Sequence, residues 1–332
     1  MIVPVSIVIP VHNGCELLRE LLLSIVRQTV EPLEVIVVDN GSTDSAPEVA
    51  VRMGARLIAM GHNAGFAAAV NRGIQEAKGE GIALVNSDVE LGSLWLETLW
   101  AGACENGCAF AAGKILQADS RHSLDGVLDG GYDLICRGTG SWRAGEGRRA
   151  SASPAPEPIR FCPATAVIYR ASVFRTVGLF AETFDSYLED VDLGLRCAAA
   201  NLAGWYFPSA ICWHHGSATF GRWSPRVVRL IARNQVFLIA RHYPRALIFR
   251  WLWPILVAQS LWGALAVRHG CGFAWLRGKI EGLHRFAAVR ATPIAELAPI
   301  IAESERQIHK LQSQTGFDTY WKVYFNLAGL AK

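Results

Sequence analysis

Three short apolar runs constrain this chain more than any other feature. Residues 5–9 (VSIVI), 35–38 (VIVV) and 83–85 (ALV) are uninterrupted by charge, and the first two are rich in β-branched side chains. Runs of that kind read as strands buried on both faces. Between them the apolar spacing changes. Leu17, Leu18, Leu21, Leu22 and Ile25 recur at helical period within residues 15–28, and residues 63–77 read as a second helix behind a Gly-containing turn. Strands alternating with helices imply an α/β fold, a mostly parallel sheet with helices on both faces. In such a sheet ligands bind beyond the carboxyl ends of the strands.

The polar residues after each run therefore carry the functional information. They are Pro10-Val11-His12-Asn13-Gly14, Asp39-Asn40-Gly41-Ser42-Thr43-Asp44 and Asn86-Ser87-Asp88. Asn, Ser and Asp favour turns by bonding their own backbone. Oxygen ligands at i and i+2 also suit a divalent cation, and three polar clusters converging on one sheet edge favour the metal for Asp88.

At 332 residues the chain has room for one large domain with an appendage. A net charge of +3, with no basic run along a helix, gives no argument for nucleic acid. None of the eight cysteines forms a CxxC pair and most lie in apolar runs, which reads as reduced thiols in a reducing compartment without a zinc site. The opening residues lack a basic n-region and a cleavage pattern, so they read as the first strand rather than a signal peptide.

Residues 137–160, RGTGSWRAGEGRRASASPAPEPIR, shift abruptly to Gly, Ser, Ala, Pro and Arg. A mobile loop is expected there, either a plain insertion or a lid whose arginines approach an anionic ligand. An ordered block follows, with a strand over 161–169, helices over 171–177 and 189–200, and a strand near 205–207. The chain from residue 225 reads as mostly helical. Its stretch 251–267, WLWPILVAQSLWGALAV, carries no charge, with Arg241, Arg245 and Arg250 before it and Arg268, Arg277 and Lys279 after. That length is at the short limit for a membrane span. The basic flanks favour a helix lying in the membrane interface, with a spanning helix and a buried core helix as alternatives.

Five stretches, VSIVIPVHNG, VIVVDNGSTD, NAGFAAAVNRG, ALVNSDVEL and LEDVDLGLR, stand in the order and spacing of family 2 glycosyltransferases with the GT-A (nucleotide-diphospho-sugar transferase) fold. Over residues 3–220 the chain most resembles the bacterial rhamnosyltransferase-like branch, which builds cell-envelope polysaccharides. The resemblance implies a catalytic domain over residues 1–224, with a nucleotide-sugar half at 1–117 and an acceptor half at 161–224, followed by a helical region at 225–332. It implies metal-dependent, inverting transfer from a nucleoside-diphosphate sugar to a lipid-linked or polysaccharide acceptor at the cytoplasmic membrane face. dTDP-rhamnose is the first donor and a UDP-sugar the second.

The resemblance also assigns residues. Pro10, Asn13, Asp39 and Asn63 belong to the nucleotide and donor pocket. A carboxylate such as Asp39 can accept from the imide N–H of uracil or thymine, although a turn cap explains it as well. Asn86-Ser87-Asp88 stands where the family carries Asp-x-Asp. The Asn is a departure that leaves Asp88 to hold Mg²⁺ or Mn²⁺, with Asn86 available to the donor ribose or sugar. His214, or else His215, is a further metal ligand or part of a structural pair. Glu189-Asp190 matches the catalytic acidic pair, with Asp190 as general base. A helix start also favours such acids. Asp192 and Arg196 read as a plain i,i+4 ion pair. Backbone amides around Gly65 are expected near the donor phosphates. The chain lacks G-x-G-x-x-G and the P-loop Lys-Ser/Thr, which excludes a dehydrogenase or NTPase reading. A UDP-hexose transferase and a non-catalytic nucleotide-sugar-binding scaffold stay open, the latter because of Asn86.

Overall fold

The computed structural model describes residues 1–120, 125–216 and 223–330. Its first part runs β1 (Ile2–Val11), α1 (Cys15–Val26), β2 (Glu31–Asp39), α2 (Ala46–Arg52), β3 (Arg56–Ala59), α3 (Phe66–Glu76), β4 (Gly81–Val85), β5 (Val89–Leu91), α4 (Trp95–Glu105) and β6 (Phe110–Gln117). The short strands β7 (Leu128–Gly130), β8 (Asp133–Ile135), β9 (Ser141–Arg143) and β10 (Glu157–Ile159) follow, then β11 (Ala166–Arg170), α5 (Ala171–Val177), α6 (Glu189–Ala199) and β12 (Gly204–His214). The rest is helical: α7 (Pro225–His242), α8 (Arg245–Arg250), α9 (Leu252–Arg268), α10 (Gly272–His284), α11 (Leu297–Thr315) and α12 (Thr319–Ala328).

Among the described residues the main sheet has the order β10-β12-β6-β11-β4-β1-β2-β3. β1 pairs in parallel with β2 and β4, β2 with β3, and β6 with β12, while β11 inserts antiparallel between β4 and β6. The chain leaves β1 outward to β3 and then returns to β4 on the other side. That reversal opens a crevice at the carboxyl ends of β1 and β4. Pro10 and Asn86 border it because they end those strands.

Both faces of the sheet are covered, as the unbroken apolar runs require. Along β1, Ile7 and Ile9 pack with Leu18, Leu21 and Leu22 of α1, while Val8 packs with Ala67, Val70 and Ile74 of α3. This is the two-residue alternation of a strand. Gly73 lets α3 approach so closely, since a Cβ there would run into Val8 Cγ1.

Residues 137–160 differ from the expected mobile loop. β8 and β9 form a hairpin with Asp133 opposite Arg143, and Thr139 and Ala144 are fully buried. Arg137 Nε meets Glu305 Oε2 of α11 at 2.8 Å, Thr139 Oγ1 donates to the Gln235 carbonyl at 3.3 Å, and Arg148 Nη2 meets Asp318 at 2.8 Å. Composition could not register partners so distant along the chain. The strand expected over 161–169 begins only at Ala166.

Asp192 also departs from its expected role. It is fully buried, and Oδ2 accepts from Arg196 Nη2 at 2.8 Å while Oδ1 accepts from Arg241 Nε at 2.7 Å and meets His242 Nε2 at 2.8 Å. The plain pair is a buried hub tying α6 to α7. Helical spacing announces Arg196 but not the residues of another helix.

α9 covers the charge-free stretch. Its Pro254, Ile255, Val257, Ala258 and Ala266 are buried, whereas Trp253, Leu256 and Val267 are exposed. Among the described residues no helix is long and apolar enough to cross a membrane. One side of α9 is core, and the other is open.

Candidate active site

The crevice deepens into a cleft of about 920 Å³, within the range of small-molecule sites. Pro10, Asn63, Asn86, Asp88, Glu189, Asp190 and His214 all line it; Asn13 and Asp39 do not. The latter two stitch loops together. Asn13, at φ 64°, accepts from the Thr43 amide through Oδ1 at 2.8 Å, and Asp39 Oδ1 accepts from the Ser42 amide at 2.9 Å. Asp44 Oδ2 accepts from the Gly14 and Cys15 amides at 2.7 and 2.9 Å, capping α1. Burial raises its pKa, but these backbone donors prevail and hold it below the usual carboxylate range.

The start of α3 is not the open nest of amides expected for phosphate. The Ala64 amide donates to Asn40 Oδ1 at 2.8 Å, the Gly65 amide to Asn63 Oδ1 at 3.1 Å, and the Ala67 amide to the Asp185 carbonyl at 3.0 Å. Gly65, at φ 92°, passes so close to Asp185 that a Cβ would strike its carboxylate. Asn71 is structural, exchanging bonds of 2.9 Å with the Phe180 backbone.

Asn86 leaves β4 with its amide bonded to the Thr165 carbonyl at 2.9 Å. Its side-chain Oδ1 is buried without a hydrogen-bond partner among the described residues. Asp88 Oδ1 lies 3.4 Å from His214 Nε2, and His214 Nδ1 meets Asp129 Oδ2 at 2.9 Å. The pairing of β12 with β5 sets His214 opposite Val89, next to Asp88. Burial pulls the imidazole down, but the bonds and charges of Asp129 and Asp88 outweigh it and push it up to about 9. His215 turns the other way, Nε2 3.8 Å from Glu20 Oε2. The His215 backbone amide donates to the Asp88 carbonyl at 3.0 Å, but of the two histidines only His214 brings its side chain to the Asp88 carboxylate.

The acidic pair sits on a strained turn. Asp185, Tyr187 and Leu188 all have positive φ, at 64°, 71° and 67°, before α6 begins at Glu189. Each such residue costs roughly 1–3 kcal/mol and persists only where its surroundings enforce it. Asn234 enforces it here, its Nδ2 donating to the carbonyls of Phe184, Ser186 and Tyr187 at 2.9, 2.9 and 2.7 Å, with Arg233 Nη2 adding a 2.7 Å bond to Phe184. The turn aims Glu189 and Asp190 into the cleft. Asp190 accepts from the amides of Val191 at 2.8 Å and Ala164 at 3.3 Å. Glu189 is buried and its Oε2 has no hydrogen-bond partner among the described residues. Burial and the charge of Asp190 push the Glu189 carboxyl well above its ordinary value. Burial raises Asp190 too, moderated by Arg143.

Asp129 and Asp133 escaped the sequence reading, and Arg143 entered it only as one of the arginines of residues 137–160. Arg143 donates through Nη1 to Asp129 Oδ2 at 2.8 Å and through Nη2 to Thr165 Oγ1 at 3.1 Å, with Nε 3.7 Å from Asp133 Oδ1. Burial and the nearby Asp190 push Asp133 up to about 8. No periodic signal marks these residues. They meet because β7 pairs with β6 and β8 with β9.

Among the described residues no group of three or more His, Cys, Asp or Glu side chains is disposed to hold a metal. The chain offers Asp88 and His214, with the unpartnered Asn86 oxygen on the same wall. That set fits Mg²⁺ or Mn²⁺, which keep waters and take diphosphate oxygens beside one or two protein ligands.

A mostly parallel sheet with a polar cleft at its strand ends, walled by carboxylates, is the GT-A arrangement of nucleotide-sugar transferases. The family model described as Glycosyl transferase family 2 matches residues 6–178, and the chain belongs to that family. It is 29% identical over 276 residues to the N-acetylglucosaminyl-diphospho-decaprenol L-rhamnosyltransferase of Mycobacterium tuberculosis, covering 76% of this chain and 87% of the relative. It is 30% identical over 228 residues to the pre-mycofactocin glycosyltransferase of the same organism, covering 67% and 45%. Two solved structures share the fold. GalNAc-T7 with UDP, GalNAc and Mn²⁺ aligns with a TM-score of 0.58 at 13% identity, covering 86% of this chain and 57% of that one. The mannosyltransferase PcManGT from Pyrobaculum calidifontis in complex with GDP-Man and Mn²⁺ aligns at 0.52 and 16%, covering 97% and 85%.

Proposed function

We propose that this enzyme is a metal-dependent, inverting transferase that moves rhamnose from dTDP-rhamnose to a lipid-diphosphate-linked saccharide at the cytoplasmic membrane face, in cell-envelope glycan synthesis. The observation that carries the reading is that Asn86, Asp88, His214 and Asp190 line one cleft at the end of β4. The long similarity to a rhamnosyltransferase named for a decaprenol-linked substrate supports the choice of donor and acceptor.

Pro10, Asn63 and Asn86 hold the nucleoside and donor end, with Asn13 and Asp39 shaping the loops beneath it. Asp88 and His214 would hold Mg²⁺ or Mn²⁺, which when bound offsets charge developing on the departing diphosphate. Asp190 takes the proton from the acceptor hydroxyl as its oxygen attacks opposite the leaving group. One such base suffices for inversion. Burial and the charge of Asp190 disfavour the charged form of Glu189, which leaves the role of base to Asp190. Arg143 favours the charged form of Asp190, which the base needs.

Calorimetric titration with dTDP, UDP and their sugars, with and without Mg²⁺ or Mn²⁺, tests the reading on wild type, Asp88→Ala and Asp190→Ala. Metal-dependent binding is expected in the wild type and in Asp190→Ala, and is lost in Asp88→Ala. Transfer is lost in Asp190→Ala. Tighter binding of UDP species would move the donor to a UDP-hexose. Binding indifferent to metal and to Asp88, without turnover, would leave a nucleotide-sugar-binding scaffold.

A further inference from the structure

α10 is packed inside out. Its buried residues are Gly278 and Gly282, which lie against α7: a Cβ at Gly278 would stand 2.8 Å from Ala232 Cβ, and one at Gly282 2.8 Å from Val236 Cβ. Phe273, Leu276, Ile280 and Leu283 fall on the opposite side of the helix by the 3.6-residue repeat. They are 81%, 47%, 59% and 64% exposed. A helix of an ordinary core does the reverse. Burying glycine and exposing four large apolar residues leaves a stripe with no partner among the described residues, and contiguous patches of this kind mark interaction sites. The neighbouring α9 adds the exposed Trp253, Leu256 and Val267. Elsewhere on α9, Trp262 and Leu265 line the active-site cleft.

Charge selects the occupant. Residues 245–290 contain seven Arg and Lys and a single acid, Glu281. Glu281 is engaged by Arg229 at 3.1 Å and Arg233 at 3.2 Å. The stripe is thus bordered by exposed cations, Arg268 and Arg277 among them, while the one acid of its helix pair is engaged by arginines of α7. A second copy of the same face would set these cations against each other. An anionic lipid surface satisfies both features, burying the apolar stripe and attracting the arginines.

We propose that the outer face of α10, with the exposed side of α9, is a docking surface for an anionic lipid bilayer, lying on the membrane rather than crossing it. The proposal rests on the lipid-linked acceptor reading and deepens it. With α9 shared between docking face and cleft wall, a saccharide carried on a bilayer lipid meets the cleft without leaving the membrane.

Co-sedimentation of the full chain with vesicles tests this without turnover. Phosphatidylcholine vesicles are compared with vesicles that also contain phosphatidylglycerol. Wild type is expected to pellet with the anionic vesicles, and Leu276→Gln/Ile280→Gln to bind them at least about tenfold more weakly. Arg268→Gln/Arg277→Gln should lose the preference for anionic lipid. Nucleotide binding and thermal unfolding serve as folding controls, and Phe273→Ser alone replaces the double variant if the latter unfolds. Wild type remaining in the supernatant overturns the proposal. So does undiminished binding of the stripe variants, or a wild-type dimer that Leu276→Gln/Ile280→Gln dissociates. Transfer to a water-soluble short-chain acceptor is measured in parallel: activity without vesicle binding sinks the docking surface and spares the transferase reading, and vesicle binding without activity does the opposite.

Discussion

His214 and Asp129 are joined Nδ1 to Oδ2 at 2.9 Å, and Asp129 gives the same oxygen to Arg143 Nη1 at 2.8 Å. One carboxylate therefore connects the Asp88 side of the cleft to the Asp190 side. A histidine that binds metal through one nitrogen is oriented by the partner of the other, and losing that partner typically costs about 10–100-fold in metal affinity. Asp129→Asn is expected to weaken Mn²⁺ binding by that factor in the presence of nucleoside diphosphate. Unchanged Mn²⁺ affinity in the titration would remove Asp129 from the site's machinery.

Arg143 opposes burial at two carboxyls. Burial and Asp190 push Asp133 up to about 8, and burial raises Asp190, while Arg143 lowers both. Without the guanidinium both carboxyls protonate at higher pH. Arg143→Gln should therefore move the acid limb of the kcat/KM profile upward in pH, so that activity lost near neutrality recovers in alkaline buffer. Arg143→Lys should restore the profile only in part, because an ammonium lacks the fork that reaches Asp129 and Thr165 together. A profile lowered in height with its acid limb unmoved would refute the electrostatic role.

The Asp192 hub predicts a large stability effect. Burial works against its charge, but His242, Arg196 and Arg241 override burial and hold the carboxyl below its ordinary range. Asp192→Asn leaves two arginines without their buried partner and should cost about 3–5 kcal/mol in urea unfolding at neutral pH. Because the folded pKa is depressed, the contribution is complete above the unfolded value of about 3.9 and fades as pH falls through the lower folded value. The gap between wild type and variant should close in acid. A gap below about 1 kcal/mol at neutral pH would mean that the hub behaves as a surface pair.

Lys279 is a buried base whose folded pKa is also depressed, so its burial costs stability where its charged form is favoured. Its buried amino group donates to the Ala232 carbonyl at 2.9 Å and to Gln235 Oε1 at 2.8 Å, and burial pulls it down to about 7. From there up to the ordinary lysine value of about 10.4, the unfolded chain binds a proton that the folded chain lacks. Stability should therefore rise with pH across that window and level off above it. Lys279→Gln should flatten the rise in unfolding curves taken through it. An unchanged slope would show that Lys279 titrates normally.

What the sequence determined by itself was whatever its own neighbours could enforce. The runs in β1, β2 and β4, the helices between them and the family motifs are contiguous stretches whose periodicity survives in any context. Asn86, Asp88, Glu189 and Asp190 could be put forward as candidates because each lies in a contiguous motif, and all four line the cleft. His214 could be named ahead of His215 as a candidate, but that its ring lies between Asp88 and Asp129 follows only from the pairing of β12 with β5.

The tertiary structure decided the rest. Asp129, Asp133 and Arg143 lie on three-residue strands with no period to read, and become one cluster only when those strands pair. Residues 137–160 looked mobile by composition, yet Glu305, Gln235 and Asp318 from the helical region bind them in place. The same holds for the segment expected at the membrane interface. Hydropathy pointed to α9, while the glycine contact of α10 with α7 decided that Phe273, Leu276, Ile280 and Leu283 face outward. Which side of a helix is buried depends on the surface it meets, and a linear pattern does not contain that surface.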